Sequence, residues 1–296
     1  MTNTCAIELL GVTKGYGSRD VVFSEADLRL PQGRIIGLIG ENGSGKTTFI
    51  KLISGMTRQD SGEIRVLGQP LRDEKTTVAL RSHISILGDA NRALYWNMSG
   101  MDNIEYFWTL KTGKPLSELP QRVLDNITRF NMGSFIHKKV ETYSKGMKQR
   151  LLLLICLLSE PRILFMDEPL NGLDFDNAFI LKGIIRDFTG KQGGTVIITS
   201  HDRSFINEIC DEQYVIRHRR IEKCETFSPA NKEITLYVRF LREADRQLYI
   251  SRCRHEISTA DENILKITAG LNDPEIYAML AGDLQAGKLQ ILEVRS

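Results

Sequence analysis

The sequence predicts an α/β fold with a mixed sheet core, on three observations. At residues 34–53 a short apolar strand runs into a glycine-rich turn and then a helix. At residues 163–199 two further apolar strands flank a helix, a βαβ unit that implies a parallel sheet covered by helices. Past residue 225 apolar and polar residues alternate with the period of a half-buried strand. The 296 residues are therefore expected to divide into a large unit over 1–225 and a small α+β extension over 226–296.

In chain order, Cys5–Gly11 and Val21–Leu30 are apolar-rich strands, broken by the turn-like Gly15-Tyr16-Gly17-Ser18. Arg34–Ile39 is a short buried strand. The helix beyond the glycine turn carries Phe49, Ile50, Leu52 and Ile53 and ends near Gly55. Residues 100–158 read as mostly helical, inside a helical subdomain of about 97–158, with breaks at Gly113–Pro120 and Asn131–Ser134. Ile163–Met166 and Thr195–Thr199 are strands, joined by a helix over about Asn177–Phe188. In the extension, Ile234, Leu236, Val238 and Phe240 share one face of a strand, and Ile264–Ile267 and Leu289–Val294 are two more. Asp273–Ala286 reads as a helix, with Pro274 just inside its start.

Composition narrows the function classes. A content of 42% hydrophobic and 26% charged residues suits a globular fold with a sizeable core. Thirty-nine Lys and Arg against 37 Asp and Glu give a net charge of +2, which argues against binding nucleic acid through bulk charge. The longest apolar run, Leu151–Leu158, is eight residues, far short of the roughly 20 that span a bilayer. Met1–Leu10 lacks a basic-then-apolar leader pattern. Cys5, Cys156, Cys210, Cys224 and Cys253 are scattered without C-x-x-C spacing, so neither a disulfide framework nor a zinc site is expected and a reducing cytosol is the expected home.

Two motifs carry the chemistry. Gly40-Glu41-Asn42-Gly43-Ser44-Gly45-Lys46-Thr47, with Thr48 beside it, matches G-x-x-x-x-G-K-[ST] between a strand and a helix. Its glycines let backbone N–H groups turn inward onto phosphate oxygens, and the helix behind points its positive end at the same anion. Lys46 would bridge the β- and γ-phosphates, and the Thr47 hydroxyl would ligate Mg²⁺. Ile163–Glu168 is a buried strand that delivers Asp167 and Glu168 at its C-terminal end, beside that loop. Asp167 would belong to the Mg²⁺ shell, and Glu168 would polarise a water for in-line attack.

Between these motifs, Tyr143-Ser144-Lys145-Gly146-Met147-Lys148-Gln149 resembles the signature segment of ABC transporter nucleotide-binding subunits. Ser144 is a good N-cap for the apolar helix that follows. The resemblance covers residues 5 to about 225 and implies a P-loop NTPase of the ABC type: mixed sheet core, helical subdomain and, here, a small α+β extension. It further implies that Ser144 and Gly146 meet the γ-phosphate held by an opposite subunit. Asn171-Gly172-Leu173-Asp174 resembles the family's interface loop, His201 its switch histidine and Tyr16 the aromatic that stacks on adenine; Tyr16 packing on a turn is the other reading.

The departures from the family pattern are specific. A glutamine usually ends the strand near Ile86, but no Gln lies between Gln69 and Gln121. Asp89 or Asn91 falls nearest; Asp89 is either a substitute oxygen ligand for the metal or part of a plain surface turn. Lys145 stands where a second glycine is common and Met147 where a glutamine is. With Leu94-Tyr95-Trp96, these variants resemble the type-2 export class. Leu94, Tyr95, Trp96, Met98 and Met101 either receive a helix of a membrane partner or fill a local core. Arg217-His218-Arg219-Arg220 reads as a solvated strand edge.

The expected function is an ATP-hydrolysing subunit that powers export through a separate transmembrane permease. It would act on the cytoplasmic face of the membrane, as a homodimer or with a paired ATPase subunit, with no nucleic acid involved. A soluble ABC-type ATPase acting on nucleic acid or ribosomes is the alternative. The nucleic-acid class is disfavoured because only 121 positions separate Lys46 from Asp167, without sustained heptads, and the ribosome class because its members usually carry two such domains in one chain.

Overall fold

A computed structural model describes residues 5–17, 20–88, 93–170, 173, 175–190, 193–200, 203–224, 233–253, 255–261, 263–270, 276, 279–280, 283–284 and 288–295. Strand β1 (Cys5–Gly15) pairs antiparallel with β2 (Val21–Pro31). β1 runs four residues past its expected end at Gly11. Gly11 sits at φ 59°, the register shifts between Leu9 and Val12, and the Gly11 N–H is held by Asp27 Oδ1 at 2.8 Å. The glycine thus makes a bulge rather than a stop.

β3 (Ile35–Ile39) leads into α1 (Lys46–Ile53). Then β4 (Ser61–Val66) and β5 (Gln69–Pro70) complete the first sheet, in the order β2-β1-β4-β5. α2 (Glu74–Arg81) starts at Asp73, whose carboxylate caps Thr76 N–H at 2.8 Å, and leads to β6 (Ile84–Leu87).

The helical region follows with its first break where the sequence predicts it; the second, expected over Asn131–Ser134, runs from Phe130 to Ser144. α3 (Gly100–Thr112) opens with a reciprocal cap between Ser99 and Asp102 and closes on Gly113 at φ 70°. A 3₁₀ turn over Leu116–Glu118 precedes α4 (Gln121–Arg129), which starts behind Pro120. Another 3₁₀ turn, Val140–Thr142, leads to α5 (Lys145–Leu157). Ile104, Trp108, Val123, Ile127 and Phe130 pack against Leu151–Cys156. Deleting one such side chain costs about 2–5 kcal/mol.

β7 (Ile163–Asp167), α6 (Phe175–Gly190), β8 (Thr195–Thr199), α7 (Arg203–Ile209), β9 (Glu212–Arg217) and β10 (Arg220–Lys223) complete the central sheet, ordered β10-β9-β3-β8-β7-β6. It is parallel except for the β9–β10 hairpin. Ile163–Met166 and all of β8 are buried, as a sheet covered on both faces requires. Arg217, His218, Arg219 and Arg220 form the exposed hairpin turn, in line with the expected solvated edge.

The third sheet, ordered β12-β13-β11-β14, is antiparallel: β11 (Glu233–Phe240), β12 (Glu256–Asp261), β13 (Ile264–Gly270) and β14 (Leu289–Arg295). α8 (Glu243–Arg252) and the helical residues Ile276 and Leu280 cover one face; of the expected helix Asp273–Ala286, the remainder other than residues 279, 283 and 284 lies outside the described residues. Phe179 of α6 joins the same apolar cluster as Leu236, Val238 and Leu265.

Candidate functional site

α1 has no side-chain cap and no acidic residue in its first turn, so its amide end is open to an anion. The turn before it is held shut by Lys46, whose Nζ donates to the carbonyls of Gly40 (2.6 Å) and Glu41 (3.0 Å). Gly43 and Gly45 take φ 81° and 113°. A Cβ on Gly40 would lie 2.3 Å from Ser44 Oγ. That Ser44 Oγ is itself buried without a hydrogen-bond partner. An orphaned hydroxyl costs about 1–3 kcal/mol, and a phosphate oxygen in the turn would accept from it. These features fit a polyphosphate.

Gly45 is the tightest point. A Cβ there would come within 2.6 Å of Val22 Cγ1, on a backbone conformation that L residues rarely adopt. Gly45→Ala is expected to cost about 2–3 kcal/mol of stability and to lower ATP affinity. Gly68 serves as control: it too has positive φ, but a Cβ there meets nothing within 4 Å. Thermal denaturation of the two variants, with and without ATP, checks this. Equal melting points would contradict it.

In the central sheet β8 lies between β3 and β7. The phosphate loop and the two acids therefore leave the sheet two strand spacings apart, roughly 10 Å. Asp167 ends β7 exposed and pairs with Thr199 in the parallel ladder. Thr199 Oγ1 donates to Asp167 Oδ1. Glu168 stands at φ 49°; its N–H donates to the Thr199 carbonyl at 2.9 Å, and its Oε2 accepts from Ser200 Oγ at 3.0 Å. A non-glycine residue in that region is strained, and the two bonds to the end of β8 hold it there. Thr199 and Ser200 orient both acids, which the motif reading missed. Their signal lay in the pairing of two strand ends, visible only once β7 and β8 are set in register.

Among the described residues no group of three or more His, Cys, Asp or Glu could hold a metal ion. An exposed Thr47 at the start of α1 and an exposed Asp167 offer two hard oxygen donors. That set fits Mg²⁺ bound chiefly through nucleotide phosphates rather than in a protein cage. Asp89, Asn91, Asn171, Gly172, Asp174 and His201 lie outside the described residues.

A cleft of about 960 Å³ is lined by Gly40–Ser44, Ser200, Asp20–Val22 and the turn of the β9–β10 hairpin. Tyr16 is not part of its lining, although its N–H bonds to the carbonyl of Asp20, which is. Tyr16 is 47% exposed, with Lys14 Nζ 5.3 Å from its ring centre.

No residue of α5 lines that cleft either. Ser144 caps α5 and is exposed. Its Oγ accepts from Met147 N–H at 3.3 Å, and Met147 Sδ accepts from Ser144 N–H at 3.4 Å. The thioether thus fills, as a weak acceptor, the capping place that Glu or Gln takes in such boxes. Tyr143 anchors the segment from below. It is buried, its hydroxyl donates to the Phe135 carbonyl at 2.7 Å, and burial pushes its phenol up to about 12.

The aromatic and sulfur-rich segment divides between its two readings. Leu94 is 6% exposed and Met101 packs on the same core, whereas Tyr95 and Trp96 are 44% and 42% exposed. The Tyr95 ring meets Tyr106 at 4.8 Å, edge to face, and both lie outside the core.

Residues 23–171 match the family profile described as ABC transporter. The ABC transporter ATP-binding protein YdbJ of Bacillus subtilis (strain 168) is 27% identical, over 93% of this chain and 87% of its own. The lantibiotic transport ATP-binding protein SrtF of Streptococcus pyogenes is 32% identical, over 69% and 84%. The Fe(3+) ions import ATP-binding protein FbpC of Photorhabdus laumondii subsp. laumondii is 29% identical, over 76% and 63%. Among solved structures, cbiO1 of Clostridium perfringens, described as part of the ABC transporter complex cbiONQ, superposes with a TM-score of 0.67 at 23% identity. The match covers 74% of this chain and 87% of that one, and it speaks for the fold.

Proposed function

The chain belongs to the ABC transporter family, whose ATP-binding domains are ATPases, and from that premise we propose that two copies close over two ATP molecules to drive export through a separate membrane permease. The observation that supports the composite site is the exposure of Ser144 at the head of α5, where a second copy can reach it. Ser144 and Gly146 of one copy then complete the site of the other.

Within each site Lys46 and the amide end of α1 bind the phosphates, and Ser44 Oγ finds its acceptor there. Thr47 and Asp167 would hold Mg²⁺, which when bound would screen the charge of the β- and γ-phosphates. Glu168, oriented by Ser200, takes a proton from the attacking water, and His201 helps to position that water. Tyr16, tied to the cleft through its bond to Asp20, would reach the adenine from the rim, and Asp174 would belong to the subunit interface. Asp89 would supply the oxygen ligand that the missing glutamine usually gives. Loss of the γ-phosphate removes the contact that favoured closure, and the pair opens.

Among the described residues no helix is long and apolar enough to cross a membrane, and the proposed partner is a separate permease. Tyr95, Trp96 and Tyr106 are the exposed aromatic surface for it, on the cytoplasmic face of the membrane. The resemblance to the type-2 class and the name of SrtF favour export.

The test is the dependence of turnover on protein concentration. Specific ATPase activity should rise as the protein is concentrated, because a site split between two copies is second order in protein. A specific activity independent of concentration, from a demonstrated monomer, would reject the composite site.

A further inference from the structure

We propose that Trp96 is a positioning residue for the first turn of α5, acting through Lys148; the proposal rests on the reading that Ser144 meets a phosphate. The segment carrying Trp96 is laced to the chain that enters α5. Glu141 N–H donates to the Trp96 carbonyl at 3.0 Å, Val140 N–H to Met98 at 3.0 Å, and Met101 N–H to Ile136 at 2.9 Å. Ser99 and Lys139 form an antiparallel bridge. Trp96 is therefore fixed at the backbone, directly beneath the turn that Ser144 caps.

Lys148 is 8% exposed, and its Nζ lies 4.0 Å from the centre of the Trp96 ring. Among the described residues no carboxylate pairs with it. Its backbone N–H donates to the Ser144 carbonyl at 3.1 Å, one of the first helical bonds of α5. The first turn of α5 contains no acid and begins with Lys145. A cation near the positive end of a helix is unfavourable unless something negative faces it. The π face of Trp96 supplies that partial charge from below. It leaves the exposed Ser144 hydroxyl at the head of the helix free of a competing cation. Without the ring, the ammonium is freed to turn toward solvent or toward the phosphate, and the first turn of α5, bonded to Ser144 through the Lys148 N–H, loses the contact that fixes it against the Trp96 segment. Because the same ring is 42% exposed beside Tyr95, pressure on that surface reaches Ser144 through one side chain.

Turnover of the full chain with saturating and limiting ATP tests this. Trp96→Leu should lower kcat about fivefold, as removal of one cation–π contact of about 1 kcal/mol does, with KM for ATP unchanged because the phosphate loop is untouched. Trp96→Phe keeps a π face and should restore most of kcat. Lys148→Met should lower kcat similarly, and the double variant should lose no more than either single one. If Trp96→Leu fails to fold, Lys148→Met and Trp96→Phe carry the test unaided. Equal kcat in wild type and Lys148→Met, or a loss in Trp96→Phe as large as in Trp96→Leu, overturns the inference. Ser144→Ala separates the two levels. If it leaves turnover intact the signature reading itself fails; if it lowers kcat while Trp96→Leu and Lys148→Met do not, only the positioning role falls.

Discussion

Lys46→Ala is expected to lower ATP turnover by about 100-fold or more, the scale of removing a preorganised charge from a transferring phosphoryl group. The structure gives this side chain two tasks. In the structure it ties the turn to itself, through the carbonyls of Gly40 and Glu41. With nucleotide present, the same ammonium must exchange at least one of those bonds for a phosphate oxygen. The residue is half-buried, within reach of a phosphate in the turn. Loss of the two bonds should cost about 1–3 kcal/mol of stability. The decisive readout is the shift in melting point that ATP produces. Wild type should gain stability as RT ln(1 + [ATP]/Kd), and Lys46→Ala should gain little. A variant that keeps both the shift and the turnover would show that the polyphosphate lies elsewhere.

How much of this was legible in the sequence differs by residue. The phosphate loop was, because its glycines are forced by geometry at fixed spacing: Gly40 by contact with Ser44, Gly45 by a φ of 113° and by contact with Val22. The strands that carry the site were legible too, since Ile163–Met166 and Thr195–Thr199 are apolar on both faces. Elements with little apolar signal escaped. β12, Glu256–Asp261, is a mostly exposed edge strand, so the alternation that marks buried strands is weak there. α8, Glu243–Arg252, has no side-chain cap and buries Tyr249 alone. β1 was cut short because Gly11 read as a stop, whereas a bulge carries the strand through it.

At the site, what escaped was pairwise. Nothing in the linear order ties Thr199 to Asp167 or Ser200 to Glu168; each bond spans 32 residues and follows from β7 and β8 lying side by side. The Met147 departure likewise gained a physical account only from the cap, where sulfur accepts the Ser144 N–H. Leu94–Met101 could not be assigned from composition because burial divides it residue by residue.

Glu168→Gln is expected to bind ATP, to hydrolyse it about 10²–10⁴-fold more slowly, and to accumulate as a dimer. The substitution preserves shape. The Gln carbonyl can still accept from Ser200 Oγ, and the backbone bond to Thr199, which holds the φ of 49°, is untouched. What disappears is the negative charge that, on the proposed mechanism, accepts the proton of the attacking water. With chemistry stalled, the γ-phosphate stays in place, and so does its contact with the Ser144 turn of the opposite copy. Gel filtration with ATP and Mg²⁺ should then give a species of twice the mass, while wild type reverts to monomer as its ATP is consumed. Adding Lys46→Ala to Glu168→Gln should return the protein to monomer, because nucleotide, not protein–protein contact, closes the pair. A Glu168→Gln protein that stays monomeric with ATP bound would count against the two-copy site, and a double variant that stays dimeric would assign the contact to some other surface.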